Sequence, residues 1–110
     1  MTANVESDLW EKLNAFNVAL ERRFPNGNDP YQIMTRLLEE CGELATEVHI
    51  FEDSGVKRKK HGAPDRMRLA SEVKGVLVCA LQIMRYYGIE DELATSVEQS
   101  YQRARNEGLI

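Results

Sequence analysis

Hydrophobic residues recur at spacings of three and four along most of the chain, which is typical of amphipathic α-helices. The pattern is clearest over residues 33–48. Its apolar positions are Ile33, Leu37, Leu38, Cys41, Leu44, Ala45 and Val48. Similar stripes predict helices over about 5–24, 30–52, 65–87 and 90–106, and no segment has the alternation typical of a strand. We therefore predict an all-α fold, a single antiparallel four-helix domain spanning residues 1–110.

Turn-forming residues separate these predicted helices. The segment 25–30 contains two prolines and a glycine, which end the first helix. Asp29 is placed to cap the second helix, with Pro30 in its first turn. Gly88 is expected to end the third helix.

Two predictions concern what the helices bury. The fourth helix carries an apolar stripe that we expect to face inward. Its members are Leu93, Ala94, Val97, Tyr101 and Ala104. Cys41 and Cys79 lie on or beside apolar sectors, so we expect buried free thiols in a reducing cytoplasm, with a disulfide between the two helices as the alternative.

Composition limits the classes of function. The chain has 110 residues, of which 43% are hydrophobic, enough for one modest core that burial at a subunit interface would help to stabilise. A net charge of −4 argues against general nucleic-acid binding. The sequence contains no apolar run long enough to span a membrane, and its polar start does not resemble a signal peptide, so we expect a cytoplasmic protein.

Glutamates are concentrated on the predicted second helix. Glu40 and Glu43 are three residues apart, so their carboxylates are neighbours on one surface and repel each other. A bound cation would reverse the sign of that interaction. Carboxylate oxygens suit Mg²⁺, Mn²⁺ or Ca²⁺ better than Zn²⁺. The alternative is an ordinary helix with a solvated acidic face.

Other polar and aromatic residues each allow two interpretations. The basic run from Lys57 to Lys60 indicates either phosphate binding or a solvated, mobile loop. Trp10 either packs in a core or interface, or stacks on a planar ligand such as a nucleobase. Arg103 and Arg105 are explained by favourable electrostatics at a helix C-terminus.

Three segments together resemble a known family. Residues 37–45 read LLEECGELA, residues 72–81 read EVKGVLVCAL, and residues 101–106 read YQRARN. The first is similar to the E-E-x-x-E-L helix of the all-α NTP pyrophosphohydrolases, the MazG-like proteins, in which an E-x-x-D helix follows. The resemblance covers about residues 30–106, and helix order and spacing agree as well as the glutamates.

This resemblance implies a fold, a reaction and a set of site residues. The expected protein is a helical homodimer or dimer of dimers that uses Mg²⁺, or Mn²⁺, to hydrolyse a nucleoside triphosphate to the monophosphate and pyrophosphate. Glu40, Glu43 and Glu72 match family metal ligands, and Glu39 matches a glutamate that holds a metal or orients water. Residues near family phosphate contacts are Arg103, Arg105 and Asn106.

The chain departs from the family pattern at one position. Gly75 stands where the aspartate of E-x-x-D is expected, and glycine offers no ligand. Mg²⁺ usually needs only one or two carboxylates besides water and phosphates, so the remaining glutamates are sufficient for one ion. Three interpretations stay open: a weakened pyrophosphohydrolase, a regulatory protein that binds nucleotide or metal without turnover, and a helical assembly module with an acidic surface.

Overall fold

Helices account for the regular structure of this protein. The computed structural model describes residues 5–53 and 62–110, with side chains from residue 8 onward. Over these ranges the chain forms α1 (Val5–Arg23), α2 (Pro30–Phe51), α3 (Arg66–Tyr87) and α4 (Glu90–Asn106), and it forms no strand. None of the described helices is both long enough and apolar enough to cross a bilayer. The predicted all-α, four-helix fold is confirmed.

The start of α2 is fixed by reciprocal hydrogen bonds. The Asp29 carboxylate accepts the backbone N–H of Gln32 at 2.9 Å, and the Gln32 side-chain oxygen accepts the backbone N–H of Asp29 at 3.2 Å. Pro30 occupies the first turn, where its missing N–H costs no hydrogen bond. The predicted cap at Asp29 is confirmed.

The ends of α3 follow the same local chemistry. The Asp65 carboxylate accepts the backbone N–H groups of Met67 at 2.9 Å and Arg68 at 3.3 Å. At the other end Gly88 adopts the left-handed conformation, with φ of 63°, which a residue with a Cβ adopts only with strain. Gly88 therefore ends the helix as predicted.

An antiparallel hairpin of α2 and α3 forms the centre of the fold. The two helices run in opposite directions, so successive turns of α2 lie opposite turns of α3 in reverse chain order. The facing pairs are Glu47 with Arg68, Glu43 with Glu72, Glu40 with Gly75, and Arg36 with Gln82. Within the described part of the chain, α1 packs on α3, and α4 contacts α3 but neither α1 nor α2.

A bidentate ion pair holds α1 against α3. The guanidinium of Arg85 donates to both carboxylate oxygens of Glu21, at 2.8 and 3.1 Å. Between the same helices, the fully buried Asn17 donates from Nδ2 to the carbonyl of Val78 at 3.4 Å. Both contacts join α1 to the C-terminal half of α3.

The buried core of the described chain is small. Its apolar members are Leu13, Ile33, Ile50, Val78 and Cys79. Large hydrophobic side chains remain exposed on every helix, for example Leu38 at 68% and Val97 at 59%. The radius of gyration is 17.0 Å, compared with about 13 Å for a compact domain of this length. The chain by itself therefore leaves much apolar surface uncovered.

Two predictions about burial are wrong. Leu93, Val97 and Tyr101 of α4 were expected to face inward, but they are exposed because α3 is the only described helix beside α4. Cys41 is exposed on α2, whereas Cys79 is buried, and both thiols are free. Periodicity assigns a residue to a helix face, but it does not supply the element that covers that face.

Candidate metal centre and adjoining cavity

Three carboxylates converge on one side of the central hairpin. Glu40 and Glu43 project from neighbouring turns of α2, and Glu72 projects from the facing turn of α3. One oxygen from each lies within 4.8 Å of the others. Glu40 and Glu72 are partly buried and Glu43 is exposed. We call these three residues the carboxylate cluster. Their role as metal ligands stays a prediction.

The carboxylate cluster is not neutralised by a cation of the described protein. Among the described residues, Lys12 pairs with Asp8, Arg68 with Glu47 and Arg85 with Glu21. Burial raises the pKa of Glu72 to about 7, and a hydrogen bond with Glu43 and the charges of Glu43 and Glu40 add to this rise. Near neutral pH the cluster therefore holds a proton for part of the time.

Gly75 makes room for one member of the cluster. A Cβ built at this position would lie 2.6 Å from the Glu40 carboxyl carbon and even closer to one of its oxygens. These distances are far below van der Waals contact. The Glu40 carboxylate thus occupies the space that a side chain at position 75 would take.

One turn away from the cluster, the same hairpin pairs opposite charges. The Nε of Arg68 donates to a carboxylate oxygen of Glu47, which is buried. Arg68 also donates to the carbonyl of Ala63 at 3.1 Å. The second oxygen of Glu47 is buried and has no hydrogen-bond partner among the described residues.

A cavity of about 400 Å³ adjoins the cluster and shares Glu40 with it. Its size falls within the range usual for small-molecule sites. Apolar walls come from Leu20, Phe24 and Val78, and the polar groups are supplied by Asn28, Arg36, Glu40, Cys79 and Gln82. The cavity lies between α1, the turn that follows α1, and the hairpin.

The position of Arg36 in the cavity wall is fixed by three acceptors. Its guanidinium donates to the Gly27 carbonyl at 3.2 Å, to the Asn28 side-chain oxygen at 3.0 Å and to the Gln82 side-chain oxygen at 3.2 Å. Burial raises the pKa of the neighbouring Cys79 thiol, and Arg36 opposes part of this rise. The cavity therefore presents a fixed cation beside a neutral thiol.

Several predicted site residues are not members of the cluster. Glu39 is exposed on α2 and is not part of the three-carboxylate group. Trp10 is half-exposed on α1, ten residues and roughly 15 Å along the helix axis from Leu20 at the cavity. Arg103 and Arg105 are exposed near the end of α4.

Of the remaining predicted phosphate contacts, the structure describes only Asn106. Asn106 is exposed at the last residue of α4, a helix that contacts α3 alone among the described helices. Lys57 and Lys60 lie outside the described residues. Their proposed contact with phosphate stays a prediction.

Sequence reasoning missed the polar residues of the cavity. The only indication in the sequence that Arg36 belongs to the site is its position one turn before Glu40. Nothing in the sequence shows which polar or charged groups Arg36 contacts. Gln82 is 46 residues from Arg36 in the chain, and Asn28 belongs to a turn that was explained by helix capping alone. Only the packing of the helices identifies these three residues as neighbours.

Comparison of the chain with protein-family models, with curated proteins and with solved structures finds no match. The resemblance to MazG-like proteins therefore stays a prediction based on the three sequence segments.

Proposed function

We propose that this protein is a Mg²⁺- or Mn²⁺-dependent hydrolase that converts nucleoside triphosphates to monophosphates and pyrophosphate. The observation that carries the proposal is the convergence of Glu40, Glu43 and Glu72 at the edge of a cavity of about 400 Å³. Oxygen-only donors fit these two cations. The three carboxylate oxygens lie within 4.8 Å of one another. This distance is close to the span of about 4.2 Å between opposite oxygen ligands of one Mg²⁺.

Each group would contribute a distinct property. The three carboxylates would hold the cation, which when bound neutralises phosphate charge and polarises phosphorus. Hydrolysis adds water across the bond between the α- and β-phosphates, and Glu39 is our candidate to orient that water and accept its proton. The apolar cavity walls fit a nucleoside, while Arg36 supplies a fixed positive charge for phosphate oxygens.

Pyrophosphate release tests this proposal. We would supply canonical, deoxy and modified nucleoside triphosphates with Mg²⁺ or Mn²⁺ to the full chain and to a Glu40→Gln variant. Release by the parent and its loss in Glu40→Gln are expected. A matched control is Glu11→Gln, which removes an exposed carboxylate on α1 and should not change the rate. Equal rates in the parent and Glu40→Gln contradict the proposal.

A second candidate is a regulatory protein that binds nucleotide and cation without turnover. Gly75 favours this regulatory role, because glycine contributes no ligand at the position where MazG-like proteins, which the chain resembles, have an aspartate. Specific ligands must raise the stability of the native state. A higher unfolding temperature with Mg²⁺ and nucleotide, but without pyrophosphate release, identifies this candidate. Absence of both effects indicates an assembly module with a solvated acidic surface.

We also propose that the protein assembles from more than one copy of the chain. Exposed apolar residues such as Leu38, Leu93 and Val97 support a homodimer or homotetramer, because their burial would stabilise the assembly. In one chain α4 does not contact α2, so we propose that Arg103 and Arg105 reach the nucleotide phosphates of a neighbouring subunit.

Light scattering coupled to size-exclusion chromatography tests the assembly. The parent should elute with the mass of two or four chains. Val97→Glu places a charge on the exposed α4 stripe and should shift the population towards smaller species. A monomeric parent at micromolar concentration contradicts the oligomer.

A further inference from the structure

We propose that Gly75 is a positioning residue for Glu40: because position 75 has no side chain, the Glu40 carboxylate can lie against α3, where it is placed to bind a divalent cation. This inference rests on the cation site of the proposed function. It gives Gly75 a role different from that of a lost ligand.

A side chain at position 75 would collide with the Glu40 carboxylate. An ideal Cβ at position 75 would lie 2.6 Å from Cδ and 3.3 Å from Cγ of Glu40, and it would overlap one carboxylate oxygen. Real Cβ atoms do not approach heavy atoms this closely. Even a methyl group at this position must displace the carboxylate, since the end of the glutamate side chain moves more easily than the backbones of two packed helices.

The displaced group is one that the carboxylate cluster needs. Glu40 supplies one of the three oxygens that lie within 4.8 Å of one another, and it also borders the cavity. Moving its carboxylate out of the space over Gly75 changes the distance from this oxygen to those of Glu43 and Glu72. We therefore expect a substitution at Gly75 to weaken cation binding although glycine itself offers no ligand.

The same helix pair provides a matched control. Gly42 also lies in the interior of a helix, α2, and is exposed. A Cβ built at Gly42 meets no heavy atom within 4 Å. Alanine at either position removes the backbone freedom of a helical glycine, but only alanine at 75 contacts Glu40. A comparison of the two variants separates helix propensity from displacement of the carboxylate.

The first experiment measures binding of Mn²⁺ alone to the full chain by titration calorimetry. We expect Gly75→Ala to bind Mn²⁺ roughly 10-fold or more weakly, the range typical when a group that orients a metal ligand is changed. Gly42→Ala should bind as the parent does, within about two-fold. Equal affinities for Gly75→Ala and Gly42→Ala overturn the inference.

A double-mutant cycle shows whether Gly75 acts through Glu40. In a Glu40→Ala background the collision no longer exists, so adding Gly75→Ala should change the affinity by less than about two-fold. A further weakening of 10-fold would show an effect that bypasses Glu40 and would overturn the inference. Circular dichroism on each variant confirms that the helices are retained.

A double variant that moves the carboxylate from position 40 to position 75 tests the inference even if Gly75→Ala does not fold. In Glu40→Ala/Gly75→Asp, the carboxylate enters the same space from α3, and binding should recover part of the loss seen in Glu40→Ala. No recovery overturns the inference. If Glu40→Ala itself leaves Mn²⁺ binding unchanged, the cation site of the proposed function fails as well. If Glu40→Ala weakens binding but Gly75→Ala does not, only the role of Gly75 fails.

Discussion

Adjacent turns of the α2–α3 hairpin place glutamate side chains in opposite electrostatic surroundings. Glu47 faces Arg68, and the buried carboxylate is paired with a guanidinium. One turn earlier on α2, Glu43 faces Glu72, and the pKa of Glu72 rises to about 7 because burial and two neighbouring carboxylates disfavour its charged form. The first pair uses charge to join the helices, whereas the second accumulates charge that the described protein leaves uncompensated.

This difference distinguishes a structural carboxylate from a candidate ligand. Opposite charges at both turns would favour contact between the two helices, whereas like charges oppose it. Like charges at the second turn cost stability unless a cation or a proton is supplied from solution. The following predictions test whether the two turns really differ in this way.

The largest expected effect follows removal of Arg68, the ion-pair partner of Glu47. Arg68→Ala leaves a carboxylate that is only 8% exposed without its cation, and it should lower the free energy of unfolding by about 3 kcal/mol, as measured by urea denaturation. The control is Lys12→Ala, which removes an ion pair whose side chains are 76% and 52% exposed. That change should cost less than about 1 kcal/mol. Equal losses in the two variants contradict a structural role for the Arg68 pair.

Loss of a carboxylate from the cluster should instead affect the response to cations. At a Mn²⁺ concentration about 100 times Kd, the parent should gain about 2.7 kcal/mol of stability. Glu72→Gln removes one of the three converging oxygens and should lose most of this gain, measured as the Mn²⁺-induced rise in unfolding temperature. Glu11→Gln should keep the full rise. A full rise in Glu72→Gln would show that the cluster is not the binding site.

The raised pKa of Glu72 makes the cation-free protein sensitive to pH. The native state binds this proton more tightly than the unfolded chain, whose pKa is 4.5, so the contribution to stability is complete below pH 4.5. It is lost as the pH rises towards about 7. The unfolding temperature of the parent minus that of Glu72→Gln should therefore fall over this interval. A difference that rises with pH has the wrong sign for this explanation.

The smallest effect concerns the two helical glycines. Gly42→Ala should raise the free energy of unfolding by up to about 1 kcal/mol, because alanine is the better helix former and the site is open. Gly75→Ala should gain less than Gly42→Ala in cation-free urea denaturation, since the new methyl group must displace the Glu40 carboxylate. A larger gain for Gly75→Ala would show that this displacement costs nothing.

Local features of the sequence were sufficient to predict the helices. Asp29, Pro30 and Gly88 act through hydrogen bonds and backbone angles within a few residues, so the bounds of α2 and α3 were accessible without tertiary information. The proximity of Glu40 to Glu43 also follows from helical spacing alone. Glu72 was added to them only through resemblance to a family, because no local rule links residues on different helices.

The tertiary structure decided what surrounds each of these residues. The register of α2 against α3 places Glu72 beside Glu43, the Glu40 carboxylate in the space over Gly75, and Gln82 within reach of Arg36. The same packing leaves Val97 exposed, although its periodicity indicated an inward face. Periodicity is a property of one helix, whereas burial, pKa and ligand geometry depend on which neighbours a second helix provides.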